Sequence, residues 1–295
     1  MRKLSICASL VLFVSASANA QIIYAVNNLN GGAGGNEALI SFAPGNPAGF
    51  STIGTLGVAG ALFSGLDFGL VGPNYNLYAY RAAQGGVAAG GLYQINTATG
   101  AATAVGNSTQ SLQDLCWSPL TNTMYGIQSV ANVASLHSVN LTTGVVSLVG
   151  NVTGLPATNV EVGCAVDSLG FIWLHDLASD DIYKSNVPNG LAVASVIAHP
   201  EDANFSQGMT IDWSGAVGPL NRGYHAAIGN APAFFSRLYR FEAVGAPAYT
   251  LVGNFSPDGV FPAVEAGDVA IRPIPEPTTL SLLALGSLML IRRRK

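Results

Sequence analysis

Short apolar runs alternate with turn-forming residues along most of the chain. In residues 91–107, the segments LYQIN and AATAVG flank a polar link that contains Thr and Gly. Alternation with a period of two on both sides of a glycine-bearing link is typical of a β-hairpin. No segment shows a long helical period, and the chain contains 35 glycines. The pattern therefore predicts an all-β body with many tight turns.

The hairpin unit occurs five times in the sequence. Residues 91–107 and 135–151 match each other best, and three looser copies have the same order of strand, Gly-bearing turn and second strand. Each copy ends in Val or Ile, usually followed by Gly or Ala, and these ends are 44 to 55 residues apart. The five end residues are Ile53, Val105, Val149, Ile197 and Val252. Such spacing is at or just above the periods typical of propellers and other repeat arrays.

A second pattern lies between the hairpins and predicts two further strands in each unit. It reads SGLDFGLVGPNYNLYAY in one unit and LQDLCWSPLTNTMYGI in the next. Four short antiparallel strands in about 50 residues are the content of one propeller blade. The sequence predicts a single β-propeller of five four-stranded blades. Six blades remain an alternative if residues 180–273 combine two weak units.

The two ends of the body complement each other. The last unit stops at residues 267–273 without its next strand, whereas residues 22–27 resemble that missing strand. We therefore predict a closed ring whose final blade takes its first strand from the C-terminal end and three strands from the N-terminal end. Such closure hides sheet edges that would otherwise aggregate.

The N-terminus has the layout of a secretory signal peptide. Arg2 and Lys3 precede an apolar stretch over residues 4–14, and small residues Ala18 and Ala20 follow. This pattern predicts a signal helix that is removed after Ala20. The predicted organisation is a signal peptide (1–20), a β-propeller (21–273) and a C-terminal tail (274–295).

Charge and composition argue against nucleic-acid binding. Charged residues make up 9% of the chain and the net charge is −4, with no cluster of Lys and Arg in the body.

The repeat units resemble the bacterial secreted β-propellers with blades of the form GLDF, NLYAY, LYQINTATG and AVG. This resemblance concerns the fold and implies no catalytic identity.

The body carries no familiar catalytic or metal-binding motif. The sequence lacks GxxxxGK, HExxH and a GxSxG with plausible partners. Its histidines show no ligand-like spacing and are interpreted as surface or strand residues: His137, His175, His199 and His225. Asp176, Asp180 and Asp181 offer oxygen ligands for Ca²⁺, but a solvated turn explains them more simply. We predict no cofactor and no metal.

Repeat geometry gives the best candidate for a ligand surface. If the first strand of each blade lies nearest the axis, the residues just before that strand occupy equivalent places and ring one mouth of the channel. These residues are Gln113, Glu161, Ser206 and Glu265. Such a ring suits a sugar or a cation. Ordinary hydration of a channel mouth is the simpler alternative.

Cys116 and Cys164 remain after removal of the signal peptide, which takes Cys7 with it. An even number of cysteines in an exported protein permits a disulfide. The two residues nevertheless occupy equivalent strands of neighbouring blades, which we expect to lie beyond the roughly 7 Å bridging limit. The sequence-based prediction is two buried free thiols.

The tail contains a proline motif, an apolar run and a basic end. Pro275-Glu276-Pro277 precedes the predicted hydrophobic helix at residues 278–291, and four basic residues follow. About 14 helical residues cover roughly 21 Å, less than a hydrocarbon core near 30 Å. The basic residues Arg292, Arg293, Arg294 and Lys295 are expected on the cytoplasmic side.

This arrangement resembles the PEP-CTERM sorting signal of Gram-negative bacteria that produce exopolysaccharide. The resemblance implies an exosortase-type peptidase that cuts near Pro275-Glu276-Pro277, a transient stay in the inner membrane and delivery to the cell surface or extracellular matrix. A simple C-terminal anchor that stays in place is the alternative.

Two classes of function remain. The first is a non-enzymatic surface or matrix protein whose propeller displays loops that bind polysaccharide or another protein. The second is a secreted propeller enzyme of the glycosidase or lyase type, which requires convergent carboxylates or a histidine-centred acid and base. The chain has only 16 acidic residues, which favours the first class. A pocket that joins Glu161 and Glu265 to a basic or histidine partner would favour the second.

Overall fold

The computed structural model describes residues 22–28, 37–59, 61–82, 90–198, 208–215, 220–228, 236–243, 248–255 and 266–273. These residues form five four-stranded antiparallel sheets. The predicted signal helix (1–20) and the predicted hydrophobic helix of the tail lie outside them. Across the described ranges, no helix is long and apolar enough to span a bilayer.

The strands follow the repeat units in order. The first three are β1 (Ile23–Asn27), β2 (Ala38–Ala43) and β3 (Asn46–Thr55). Blade 1 contains β4 (Phe63–Val71), β5 (Asn74–Arg81), β6 (Gly90–Ile95) and β7 (Ala102–Ser108). Blade 2 contains β8 (Asp114–Ser118), β9 (Thr123–Val130), β10 (Val133–Val139) and β11 (Val146–Asn151). Blade 3 contains β12 (Glu161–Val166), β13 (Ile172–Asp176), β14 (Asp181–Ser185) and β15 (Val193–Ala198). Blade 4 contains β16 (Gly208–Asp212), β17 (Arg222–Ile228), β18 (Ser236–Glu242) and β19 (Thr250–Asn254). The last strand is β20 (Ala266–Ile271).

The first strand of each sheet lies on the axis of a closed ring. Strands β4, β8, β12, β16 and β20 pack against one another in that order, and β20 returns to β4. Sheet order β20-β1-β2-β3 makes the fifth blade. The five-bladed propeller predicted from the repeats is therefore confirmed.

The two ends of the described body pair with each other. Strand β1 runs antiparallel to β20, with Ile23 opposite Ile271 and Ala25 opposite Val269. Blade 5 thus takes one strand from the C-terminal end and three from the N-terminal end, as predicted. Pairing of this kind satisfies the backbone groups that two free edge strands would leave open.

The Val/Ile-Gly ends of the repeats mark β-bulges in the outermost strands. Val105 is the extra residue between Ala104 and Gly106, which oppose Tyr93 and Leu92. The same irregularity falls at Ile53, Val149 and Val252. In blade 3 it falls at Val196, one residue before the position expected from the repeat.

The bulge glycines are packed against the next blade. A Cβ atom on Gly106 would meet the carbonyl oxygen of Thr143, which lies in the β10–β11 turn of blade 2. That turn is held by Asn140, whose Oδ1 accepts hydrogen bonds from the N–H groups of Thr142 and Thr143. Gly144 closes it with a φ of 71°, which favours glycine. The turn of the Asn-x-x-x-Gly motif in one blade therefore packs against the bulge of the Val-Gly motif in its neighbour.

Substitution of Gly106 by Ala is expected to lower the free energy of unfolding by about 2 kcal/mol, because the added methyl group must displace the facing backbone. Urea denaturation of the purified chain measures the change. Gly45 is the matched control, since nothing lies within 4 Å of its added Cβ. Equal effects of Gly106→Ala and Gly45→Ala would show that the bulge does not dock the blades.

Apolar side chains fill the spaces between neighbouring blades. Phe42 of blade 5 meets Phe255, just after blade 4, with 5.0 Å between ring centroids. Trp173 of blade 3 lies 5.8 Å from Phe241 of blade 4. Successive side chains of a strand point to opposite faces of its sheet. Each sheet can therefore pack against the neighbouring blade on both sides near the axis.

Cys116 on β8 and Cys164 on β12 form a disulfide. The prediction of two free thiols is therefore wrong. It assumed that equivalent strands of neighbouring blades stand far apart, whereas the innermost strands converge on the axis and place these Cα atoms 5.5 Å apart. This separation lies within the range that a disulfide bridges.

Candidate functional site

Two of the four predicted channel-mouth residues lie in the described part of the chain. The Oε1 atom of Gln113 accepts a hydrogen bond of 2.8 Å from the N–H of Ser129. Glu161 is fully buried at the start of β12. Ser206 and Glu265 lie outside the described residues, so the four-residue ring stays a prediction.

Glu161 is a buried carboxyl group in an unusual environment. Burial raises its pKa to about 8, and the nearby charge of Asp176 adds to the increase. Neither of its carboxyl oxygens has a hydrogen-bond partner in the part of the chain that the structure describes. Glu161 is therefore mostly protonated at neutral pH.

The acidic cluster in blade 3 organises a turn. Asp176 accepts hydrogen bonds from the N–H of Val160 at 2.6 Å and from the hydroxyl of Ser179 at 2.7 Å. Asp180 has a φ of 57°, and Asp181 accepts a bond from the hydroxyl of Ser195. The carboxylates of Asp176 and Asp181 thus have different partners. Within the described residues, no group of three His, Cys, Asp or Glu side chains is placed to hold a metal ion.

Aspartates on the innermost strands connect neighbouring blades. The Oδ2 atom of Asp67 on β4 accepts a 2.6 Å hydrogen bond from the N–H of Trp117 on β8. The Oδ2 atom of Asp114 on β8 accepts a bond of the same length from the N–H of Cys164 on β12. Each carboxyl group thus takes a backbone group of the next inner strand as its partner. Together with Asp268 on β20, these residues form the axial acid cluster.

The axial acid cluster binds protons more tightly than ordinary carboxyl groups. Burial raises the pKa of Asp67 to about 7, although its bonds from Trp117 and Phe68 lower the pKa in part. Burial also raises the pKa of Asp114 and of Asp268. These two residues share a side-chain hydrogen bond that favours the neutral form of Asp268. A proton on Asp268 that is donated to Asp114 explains how two acids tolerate each other at the axis.

Two histidines meet between blades 3 and 4. The ring centroids of His175 on β13 and His225 on β17 are 4.5 Å apart, and both residues are fully buried. Nδ1 of His225 lies 2.7 Å from the hydroxyl of Tyr249. His137 contacts the hydroxyl of Ser135 at 3.0 Å, and burial lowers its pKa. His199 lies outside the described residues.

The sequence interpretation missed both the axial acids and the histidine pair. His175 and His225 are 50 residues apart, which is about one repeat. Residues one repeat apart lie on neighbouring blades, and this offset was the available signal. Asp67 and Asp268 lie within the glycine-containing inner-strand segments GLDF and AGDVAI, but repeat similarity does not show which way their side chains point.

An aromatic contact lies at one mouth of the ring. We call this mouth the lower mouth, and the C-terminal ends of the inner strands lie there. The rings of Tyr75 at the start of β5 and Trp213 after β16 have centroids 5.7 Å apart. Blades 1 and 4 are not neighbours, so this contact spans the axis. It places one aromatic side chain beside a cleft at the edge of blade 1.

The lower-mouth cleft has a volume of about 380 Å³. It lies between the lower edge of blade 1 and the residue that follows β20. Its walls combine aromatic, amide, hydroxyl and guanidinium groups, contributed by Phe68, Tyr75, Asn76, Gln94, Thr103 and Arg272. A second cleft of about 370 Å³ occupies the corresponding place in blade 2.

Neither a protein-family model nor a curated protein matches the sequence. Among solved structures, a chain of a nidogen/laminin complex is similar at 9% identity and a TM-score of 0.49, over 85% of this chain and 97% of that one. TolB from Acinetobacter baumannii is similar at 11% identity and a TM-score of 0.47, over 79% of this chain and 53% of that one. Similarity at this level supports no statement about function.

Proposed function

We propose that the chain is a non-enzymatic, exported propeller scaffold of the cell surface or extracellular matrix of a Gram-negative bacterium. The Cys116–Cys164 disulfide is the observation that carries this proposal. Disulfides form and persist mainly in oxidising compartments, to which a signal peptide at residues 1–20 would direct the chain.

The use of the buried acids supports a scaffold rather than an enzyme. The Oδ2 atoms of Asp67 and Asp114 accept hydrogen bonds from backbone N–H groups of the next blade and so link the blades. Glu161 has a raised pKa, as a general acid requires, but its exposed fraction is 0%. A glycosidase or lyase needs its acid and base within reach of the substrate.

The tail supplies the sorting step of the proposal. Residues 278–291 hold the chain briefly in the inner membrane, with Arg292, Arg293 and Arg294 on the cytoplasmic side. The prolines of Pro275-Glu276-Pro277 keep the preceding segment out of the helix. An exosortase-type peptidase then cuts near this motif, and the propeller is released because a short apolar span is a marginal membrane resident.

Replacement of Pro275-Glu276-Pro277 by three alanines is expected to abolish release. The uncut chain should accumulate in the inner-membrane fraction, and the amount at the surface should fall by at least an order of magnitude. Cell fractionation with immunoblotting measures both. Thr278→Ala is the matched control and should leave processing unchanged. If the triple replacement leaves location and size unchanged, the tail is a simple anchor and the sorting proposal fails.

A further inference from the structure

We propose that the lower-mouth cleft binds a sugar that carries a carboxylate, such as a uronic acid unit of a polysaccharide. This inference rests on the proposed function, for which it names the class of ligand and the site. The cleft volume of about 380 Å³ lies within the range of small-molecule sites, about 300 to 1,000 Å³.

Arg272 supplies the charge that selects a carboxylate. It follows β20 directly, is exposed and lines the cleft. Among the residues that the structure describes, no carboxylate lies within ion-pair distance of the Arg272 guanidinium group. The ion pairs in the described ranges are formed by Lys184 and Arg222 in other parts of the fold. The guanidinium fork binds a carboxylate through two parallel hydrogen bonds. A single arginine matches the single charge of a uronic acid.

Amide and hydroxyl groups on blade 1 suit the hydroxyl groups of a sugar. Gln94 on β6 lies opposite Thr103 on β7 and Tyr78 on β5, so these residues form one row across the sheet. Gln94 and Thr103 are exposed and share the sheet face of Tyr78. This face alternates with the face of Phe68, so the two residues line the cleft from its edge. Asn76 is held in place by a side-chain hydrogen bond to Tyr78. An amide both donates and accepts, as a sugar hydroxyl does, so one amide can serve two hydroxyl groups.

Tyr75 supplies the accessible apolar surface of the cleft. Phe68 is buried in its wall, and half-buried Tyr75 is held at the edge by its contact with Trp213. A sugar ring has apolar C–H faces and polar edges. A ring-shaped apolar surface beside amide groups therefore matches its two kinds of surface.

The equivalent cleft of blade 2 provides an internal comparison. Val71 occupies the position of Arg272, because each residue lies four positions after an aspartate, Asp67 or Asp268, whose Oδ1 accepts a bond from the next N–H. Asn122 occupies the position of Tyr75. Tyr75 lies two positions before the strand partner of Phe68, and Asn122 lies two positions before the strand partner of Trp117. The blade 2 cleft is otherwise lined by apolar groups such as Leu70 and Leu141 and by the polar groups of Thr123, Asn140 and Thr142. The arginine and the tyrosine at the edge of the cleft are thus specific to blade 1 in this comparison and are not by-products of the repeat.

Isothermal titration calorimetry of the purified chain with tetragalacturonate tests the inference. Its carboxyl-reduced, neutral counterpart is titrated in parallel. We expect Arg272→Gln to weaken tetragalacturonate binding about tenfold or more, because a hydrogen-bonded charge pair is lost. Binding of the neutral counterpart should be unchanged by Arg272→Gln, and Tyr75→Ala should weaken both. Val71→Ala, at the equivalent position of the second cleft, should change neither.

Three results would overturn the inference: no binding of tetragalacturonate, no effect of Arg272→Gln, or equal losses from Arg272→Gln and Val71→Ala. Stronger binding of a sulfated than of a carboxylated oligosaccharide would also contradict it. If these results occur while the chain is still exported and cut at its tail, the inference fails and the proposed function stands. If tetragalacturonate is instead shortened by the chain, as mass spectrometry would show, the non-enzymatic proposal fails.

Discussion

Reduction of the Cys116–Cys164 disulfide is expected to lower the free energy of unfolding by about 4 kcal/mol. The bridge closes a loop between residues 48 positions apart, and the chain-entropy relation gives about 4 kcal/mol for a loop of that length. The bridge also joins two adjacent inner strands, so its loss loosens the ring at the axis. Urea denaturation with and without a thiol reductant measures the change.

The matched control is the double variant Cys116→Ala/Cys164→Ala. Its denaturation midpoint should be low in both conditions and should not respond to the reductant. An unchanged midpoint of the unsubstituted chain after complete reduction would contradict a stabilising bridge. Alkylation of two thiols in the unfolded, unreduced chain would contradict the bridge itself.

Substitution of Glu161 by Gln is expected to stabilise the protein at alkaline pH. The folded-state pKa of Glu161, about 8, lies above its ordinary value of 4.5. Its stabilising contribution is therefore fully present below about pH 4.5 and is lost as the pH rises through about 8. The loss is about 1.4 kcal/mol per pH unit in that window, which amounts to on the order of 5 kcal/mol. A neutral glutamine avoids this loss, so the variant should be the more stable protein at pH 9.

Urea denaturation at intervals from pH 4 to pH 9 measures this effect. The unsubstituted chain should lose stability with rising pH, and Asp67, with a pKa raised from 3.8 to about 7, contributes in the same direction. Glu161→Gln should remove part of that slope. Glu242→Gln serves as the control, because the Glu242 carboxylate is partly exposed and paired with Arg222, and such pairs contribute less than about 1 kcal/mol. Identical slopes for all three proteins would show that Glu161 is not buried as a neutral acid.

The five-bladed ring was predictable because each repeat contains the residues that form its own strands, turn and bulge. The hairpin at residues 91–107 contains both its turn residues and its bulge, marked by Asn96, Gly100 and Gly106. The pairing of residues 22–27 with the end of the body was predictable for the same reason, since it completes a unit already seen four times. Strand alternation and turn chemistry are short-range properties that one sequence displays directly.

The contacts at the axis were not predictable from that pattern. Equivalent positions on neighbouring blades look alike whether the strands lie 5 Å or 10 Å apart, so Cys116 and Cys164 were expected to be separate. The distance follows from the narrow ring, which only the packing of five inner strands determines. The same convergence brings Asp114 to the N–H of Cys164. The lower-mouth cleft was missed because it joins Arg272 to side chains of blade 1 that are nearly 200 residues away in sequence.

The intact mass of the protein recovered from the cell surface or growth medium tests the proposed function most directly. The account predicts a chain that begins at Gln21, ends near Pro275-Glu276-Pro277 and is about 2 Da lighter than the dithiol form, because disulfide formation removes two hydrogen atoms. A mass that retains residues 1–20 or Arg292 to Lys295, or that corresponds to two free thiols, would contradict it.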